Sequence, residues 1–198
     1  KTSNPVSGAV VAPGGAITYT LTGTNTGATV LDPVTVTDDL SAVLNHGEVT
    51  TDPVAVIVAA DGSEAAALAA PLITGTTLSW TGELAVGESV VITYTVTLDA
   101  DAIGVAVNNR ASSSATPPNG PEITPPPVET EHRTPGFSVT KVADPASGSA
   151  VRVGDRVTYT VEGVNTGLSV LDPVVITDDL SDVLAHATLV GAATAVII

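Results

Sequence analysis

The chain has no cysteine and no methionine, and its aromatic residues are one Trp, one Phe and three Tyr. Without cysteine no disulfide can staple the fold, so stability against stretching and proteolysis has to come from elsewhere. Basic residues are scarce as well, with 6 Lys and Arg against 21 Asp and Glu and a net charge of −15. That balance excludes nucleic acid as a partner, because a phosphate backbone needs a basic patch for affinity. It equally disfavours docking on anionic lipid. An acidic surface keeps a long protein soluble or holds divalent cations, and solubility is the simpler use. No apolar run is long enough to span a bilayer, so no membrane insertion is expected in this segment. No leader peptide is visible either, which says nothing about destination in a chain that starts inside a repeat.

What is present points to sheet. Hydrophobic residues make up 43% of the chain, nearly all Val, Ala, Leu and Ile, and 14 Pro and 18 Gly divide them into short runs. With Val, Ile and Thr dominating the patterned stretches, pleated strands are favoured over helices. The expected fold is all-β, an immunoglobulin-like β-sandwich.

The stretch Thr18–Leu44 returns as Thr158–Leu184, 140 positions later and without a gap. The match runs back to Lys1 and Lys141 and forward to His46 and His186. A period this long marks a tandem array of whole domains. Residues 1–116 are expected to form one sandwich whose first strand is cut short, 117–135 a Pro-rich semi-rigid linker, and 136–198 the first part of a second sandwich. The copy shows what the first unit lacks, since Lys141 is preceded by the alternating run Phe137-Ser138-Val139-Thr140. The second unit reaches Ile198 before its later strands, so further residues or another chain would complete it.

Within the first unit, strands are expected at Ala9–Ala12, Ala16–Thr24, Val34–Asp38, Val54–Ala59, around Leu78–Trp80, Ser89–Leu98 and Val105–Ser113, the last of the unit. One helical turn is expected after Asp39, and Ala65–Ala70 is ambiguous between helix and strand. Alternation decides which side chains share a face. Asp38 falls on the side of Val34, Val36 and Leu40, and Asp178 on that of Val174, Ile176 and Leu180. Asn109 shares a face with Val105 and Val107, and Lys141 with Phe137 and Val139. Lysine, aspartate and asparagine thus point into an apolar interior from three strands.

Each of these groups is costly there alone. Together they have a chemical solution, because burial favours the neutral amine and the neutral carboxylic acid. The amine is then a nucleophile, the acid polarises the carboxamide and moves protons, and fixed proximity does the rest. The product is a Lys–Asn isopeptide bond, with loss of ammonia.

The pattern Lys…Gly-Gly-Ala-Ile-Thr-Tyr-Thr…Asn-Thr-Gly…Val-Thr-Val-Thr-Asp-Asp-Leu…Asn-Arg-Ala resembles the conserved-repeat domains of bacterial surface proteins. Many of these are known only as domains of unknown function, and they are common in Gram-positive actinobacteria. They are similar in fold and logic to the isopeptide-forming B-type domains of collagen adhesins and pilins. The resemblance covers Lys1 to about Ala111 and again Phe137 to Ile198. It implies a stalk module in which Lys1 and Asn109 are crosslinked with Asp38 as the promoting acid, and in which Lys141 and Asp178 are the counterparts. Collagen-adhesin domains usually use Glu where this chain has Asp, and Asn108, adjacent to Asn109, is a second candidate partner.

Blander readings stand beside these. Lys1 could be a solvated terminal lysine, and Asp38 a helix cap. Asp99 and Asp101, or Asp38 and Asp39, are candidate Ca²⁺ ligands, but the Asp-x-Asp-x-Asp-Gly spacing is missing and solvated turn acids explain them. His46 and His186 are single histidines after a turn, short of the three or four ligands a metal needs. No cofactor is expected, Ca²⁺ being the one candidate. The reading is a non-enzymatic stalk, spacer or filament repeat of an extracellular, cell-surface or cell-wall protein. Its partners would be neighbouring repeats, other copies of the chain or a host or surface ligand. The alternative is an adhesin or a carbohydrate- or protein-binding module, calcium-dependent in one form, against which the scarcity of aromatics weighs.

Overall fold

The computed structural model describes residues 1–198, with side-chain surroundings for all but 65–67. The first unit is two five-stranded antiparallel sheets packed face to face. One sheet runs in the order β1 (Thr2–Asn4), β2 (Ala16–Thr24), β8 (Ser89–Leu98), β4 (Gly47–Val58) and β5 (Glu64–Ala67). The other runs β10 (Val128–Arg133), β9 (Ala106–Ala115), β3 (Leu31–Asp39), β7 (Thr77–Leu84) and β6 (Leu72–Thr74). A single turn of helix, α1 (Ser41–Leu44), follows β3, and the Asp39 side chain accepts the Ser41 N–H at its start. This is an all-β immunoglobulin-like sandwich.

The core follows from alternation. Along β8, every second residue from Val90 to Leu98 is buried. Ile17, Tyr19 and Leu21 of β2 lie beside them, and Val34, Val36 and Trp80 face them from the opposite sheet. The outward positions of β2 and β8 are largely threonine, and the Thr18 and Thr95 hydroxyls meet across the strands at 2.9 Å. Such cross-strand pairs fit a half-buried pleated surface.

Two sequence expectations need correction. Val105–Ser113 is not the last strand of the unit, because Val128–Arg133, expected within the linker, forms β10 and pairs with β9. The strand lies between Pro127 and Pro135 and holds no proline itself, and β10 is a sheet edge, the position that proline-rich flanks allow. The segment escapes hydropathy because its inward face is Thr130 and His132, both polar and both buried. Ala9–Ala12 is not a strand of its own but a parallel bridge, Val10 to Arg133, beside β10. Gly8 N–H donates to Glu131 O and Val11 N–H to Arg133 O, so this segment ties β10 to the chain leading into β2. The ambiguous alanine stretch begins in β5.

In residues 136–198 the strands are β11 (Phe137–Asp144) and β12 (Thr158–Asn165), paired antiparallel, followed by the helical turn α2 (Ser181–Leu184). No helix of the described residues is long and apolar enough to cross a membrane.

Candidate functional site

Lys1 lies one residue before β1, at the edge of one sheet, while Asp38 of β3 and Asn109 of β9 belong to the other. All three side chains converge between the sheets. Lys1 Nζ donates to Asp38 Oδ1 at 2.6 Å, and both side chains are fully enclosed. Asp38 Oδ2 accepts the Tyr94 hydroxyl at 2.6 Å, and that hydroxyl accepts Asn109 Nδ2–H at 2.7 Å. A continuous chain therefore runs from the Lys1 amine through Asp38 and Tyr94 to the Asn109 carboxamide. Asn108 points outward from β9 and Asn109 inward, so the structure places Asn109 in the cluster.

Aromatic rings wall the site. Tyr19 and Tyr94 are register partners on β2 and β8, and their rings stack with centroids 5.2 Å apart. Lys1 Nζ sits 5.3 Å from the Tyr19 centroid, within cation–π range. Burial pulls the Lys1 amine down to about 8, against the opposing pull of Asp38. Burial and the nearby Asp38 charge push the Tyr94 and Tyr19 hydroxyls well above their ordinary value, so both stay protonated. Tyr19 Oη and Asn109 Oδ1 are buried without a hydrogen-bond partner. An orphaned amide oxygen in a closed site is costly.

Sequence reasoning brought Lys1, Asp38 and Asn109 to one face and missed two participants. Tyr94 was read only as part of an alternating strand, although its position on the inward face of β8 was itself the signal. His132 was not singled out. It is fully buried on β10, its Nε2 donates to Pro5 O at 3.0 Å and lies 3.2 Å from Ser3 Oγ, and its ring meets Tyr19 edge-on. It thus pins the residues just after Lys1 to the far sheet.

In the second unit Lys141 Nζ meets Asp178 Oδ1 at the same 2.6 Å and lies 4.9 Å from the Tyr159 centroid. These side chains are 40% and 30% exposed. His46 follows α1, its N–H bonded to Val43 O, and His186 repeats this after α2. Asp99 and Asp101 stand exposed in the turn after β8. Among the described residues no three His, Asp or Glu side chains are grouped to hold a metal ion.

Beside the cluster, a groove of about 510 Å³ opens between the sheets, lined by Lys1, Leu21, Gly23, Val36, Ala111 and Val128 among others. Strand β1 pairs with β2 only from Thr18 to Thr20. In the second unit β11 continues along β12 as far as Asn165, the counterpart of Asn25. The groove therefore lies where the second unit has a strand.

Sheet order, strand count and closed interior define an immunoglobulin-like sandwich, and comparison with solved structures agrees on the fold. The major pilin subunit BcpA of Bacillus cereus aligns with a TM-score of 0.50 at 14% identity, over 84% of this chain and 55% of that one. ACE19, the collagen binding subdomain of the Enterococcus faecalis surface protein ACE, aligns at 0.46 and 10% identity, over 63% of this chain and 91% of that one. Domains D2 and D3 of the major pilin SpaD from Corynebacterium diphtheriae align at 0.45 and 17%, over 68% and 51%. The chain spans about half the length of the two pilins. No curated protein matches the sequence. The chain belongs to the family described as Domain of unknown function (DUF7927), whose profile matches residues 1–134 and again 136–197. The first match includes β10, in line with the corrected boundary.

Proposed function

We propose that this chain is a structural repeat, a stalk or spacer, of a bacterial cell-surface protein, and that each complete unit carries an intramolecular Lys–Asn isopeptide bond. The observation that carries the reading is the enclosed chain Lys1–Asp38–Tyr94–Asn109 bridging the two sheets. A buried ion pair is weak evidence for stability by itself, because desolvation offsets the attraction. A lysine held at reduced basicity beside an acid and a carboxamide has a use that a simple ion pair lacks.

The reaction joins Lys1 Nζ to Asn109 Cγ and releases the amide nitrogen as ammonia. Closing a loop of roughly 100 residues constrains the unfolded chain by about 4–5 kcal/mol, by analogy with a disulfide. It also ties the first strand of one sheet to β9 of the other, so tension applied along the array passes through a covalent link. That role suits a protein without cysteine. The similar BcpA structure is that of a major pilin subunit, which supports an extracellular, surface-attached setting for this chain.

Intact mass tests the reading. The wild-type chain is expected to weigh one ammonia less than its formula and the Asp38→Ala chain to match it. Equal agreement of both with their formulas removes the crosslink and leaves a non-covalent sandwich.

A further inference from the structure

Tyr94 is the one polar residue on the inward face of β8, between Ile92 and Val96. A buried phenol needs a hydrogen-bond partner, and Tyr94 has two, both members of the reacting cluster. Its hydroxyl stands between the acid and the nitrogen that has to leave. It is 2.6 Å from Asp38 Oδ2 and 2.7 Å from Asn109 Nδ2, while Lys1 Nζ occupies the other carboxyl oxygen, Oδ1. The stacked Tyr19 ring fixes the phenol in place. Burial keeps the hydroxyl protonated, as a carrier that hands on one proton while receiving another must be.

We propose that Tyr94 is a catalytic residue of the crosslinking reaction, relaying a proton from Asp38 to the departing amide nitrogen of Asn109. The inference rests on the crosslink reading above. The reaction starts from a neutral Lys1 amine and an Asp38 carboxyl carrying its proton on Oδ2. In the structure the two bonds run the other way, Tyr94 to Oδ2 and Nδ2 to Tyr94, and the hydroxyl turns to Nδ2 as addition at Cγ makes that nitrogen pyramidal and able to accept. As Nζ bonds to Asn109 Cγ, a proton passes from Nζ to Asp38 Oδ1. The Oδ2 proton passes to the Tyr94 oxygen, and the Tyr94 proton passes to Nδ2. The Cγ–Nδ2 bond breaks, its electron pair leaves with nitrogen, and ammonia departs. Asp38 and Tyr94 end as they began, each with one proton, so neither is consumed and no other reactant is needed. The two carboxyl oxygens take opposite tasks, one facing the nucleophile and one facing the leaving group. The amine and the leaving nitrogen thus never exchange protons directly.

The test uses the full chain, recovered unfolded from inclusion bodies and refolded by rapid dilution at about pH 7, where the Lys1–Asp38 pair keeps the one proton that the reaction moves. Intact mass follows ammonia loss with time. Tyr94→Phe, which keeps the ring and removes the hydroxyl, is expected to slow the loss by at least about 100-fold, the usual weight of a positioned acid. A loss within about twofold of wild type overturns the relay. Because Phe could also perturb folding, the wild-type rate is measured in mixtures of H₂O and D₂O. Three protons moving in one step give a curved dependence on deuterium fraction, and a straight line overturns the relay without any variant. A wild-type chain that never loses ammonia is a different failure, that of the crosslink itself.

Discussion

The two units carry the same pair under different cover. Lys1–Asp38 and Lys141–Asp178 share a 2.6 Å contact, a tyrosine beneath the amine and the same sequence separation. The first pair is enclosed and the second exposed, and Tyr19 is fully buried where Tyr159 is 41% exposed. The pair itself therefore needs only β1 or β11, the strand beside it and the segment ending in the aspartate. The proposed crosslink needs β8 and β9, which bring Tyr94, the asparagine and burial. Lys1 has its basicity reduced by burial, and burial is what the later strands supply.

The comparison runs the other way at the first strand. In the second unit β11 is complete, and a Cβ on Gly163 would lie 2.8 Å from the Phe137 ring. In the first unit the matching Gly23 faces only Val90 at 3.4 Å, and the groove lies open above it.

Several changes would sharpen this contrast. The largest effect is expected for Lys1→Ala against Lys141→Ala. Lys1→Ala removes the crosslink and leaves Asp38 buried without its cation, lowering stability by about 4 kcal/mol or more in denaturant unfolding. Lys141→Ala breaks a partly solvated pair and is expected to change stability by about 0.5 kcal/mol or less. Equal effects would mean that burial is not what separates the units.

Adding Phe-Ser-Val-Thr before Lys1 is expected to fill the groove and stabilise the first unit by about 2 kcal/mol, chiefly through the phenylalanine. Thermal melting measures the gain, and slowed amide exchange at Thr22 and Thr24 locates it. A Gly-Ser-Gly-Thr extension serves as the control and is expected to give little of either.

His132→Ala comes next, expected to cost about 1–3 kcal/mol by leaving Pro5 O unpartnered and loosening the segment after Lys1 from β10. No counterpart of β10 occurs within residues 136–198, so the second unit is expected to ignore the change.

The smallest effect concerns pH and needs a chain in which the bond cannot form, such as Asn109→Ala. Lys1 has a folded value of about 8, below its ordinary 10.5. Between those values the unfolded chain binds more protons than the folded one, so stability rises with pH across this window. A gain of about 1–2 kcal/mol from pH 8 to about pH 10 is expected in urea unfolding.

Much of this was legible in the sequence, and what was missed has physical causes. Strands β2 and β8 match their expected limits because threonine and aliphatic residues alternate there without a break. The same alternation brought Asp38 and Asn109 inward. It failed at β10, where the buried side chains are Thr130 and His132 and hydropathy has nothing to register. It also passed over Tyr94, since alternation says that a phenol points inward but not what waits for its hydroxyl. Alternation put Asn109 rather than Asn108 on the inward face, and in the structure Asn109 is buried and Asn108 exposed.

By itself the sequence determined the sheet class, the repeat, the absence of disulfides and which polar residues of the strands face inward. These depend on backbone preference and a two-residue period, which act over a few positions. Only the tertiary structure brought Lys1, Asp38 and Asn109 together from the two sheets. It alone set a tyrosine between acid and amide. Those outcomes depend on strands separated by tens of residues meeting across two sheets, and burial is a property of what finally covers a group, which no local pattern encodes.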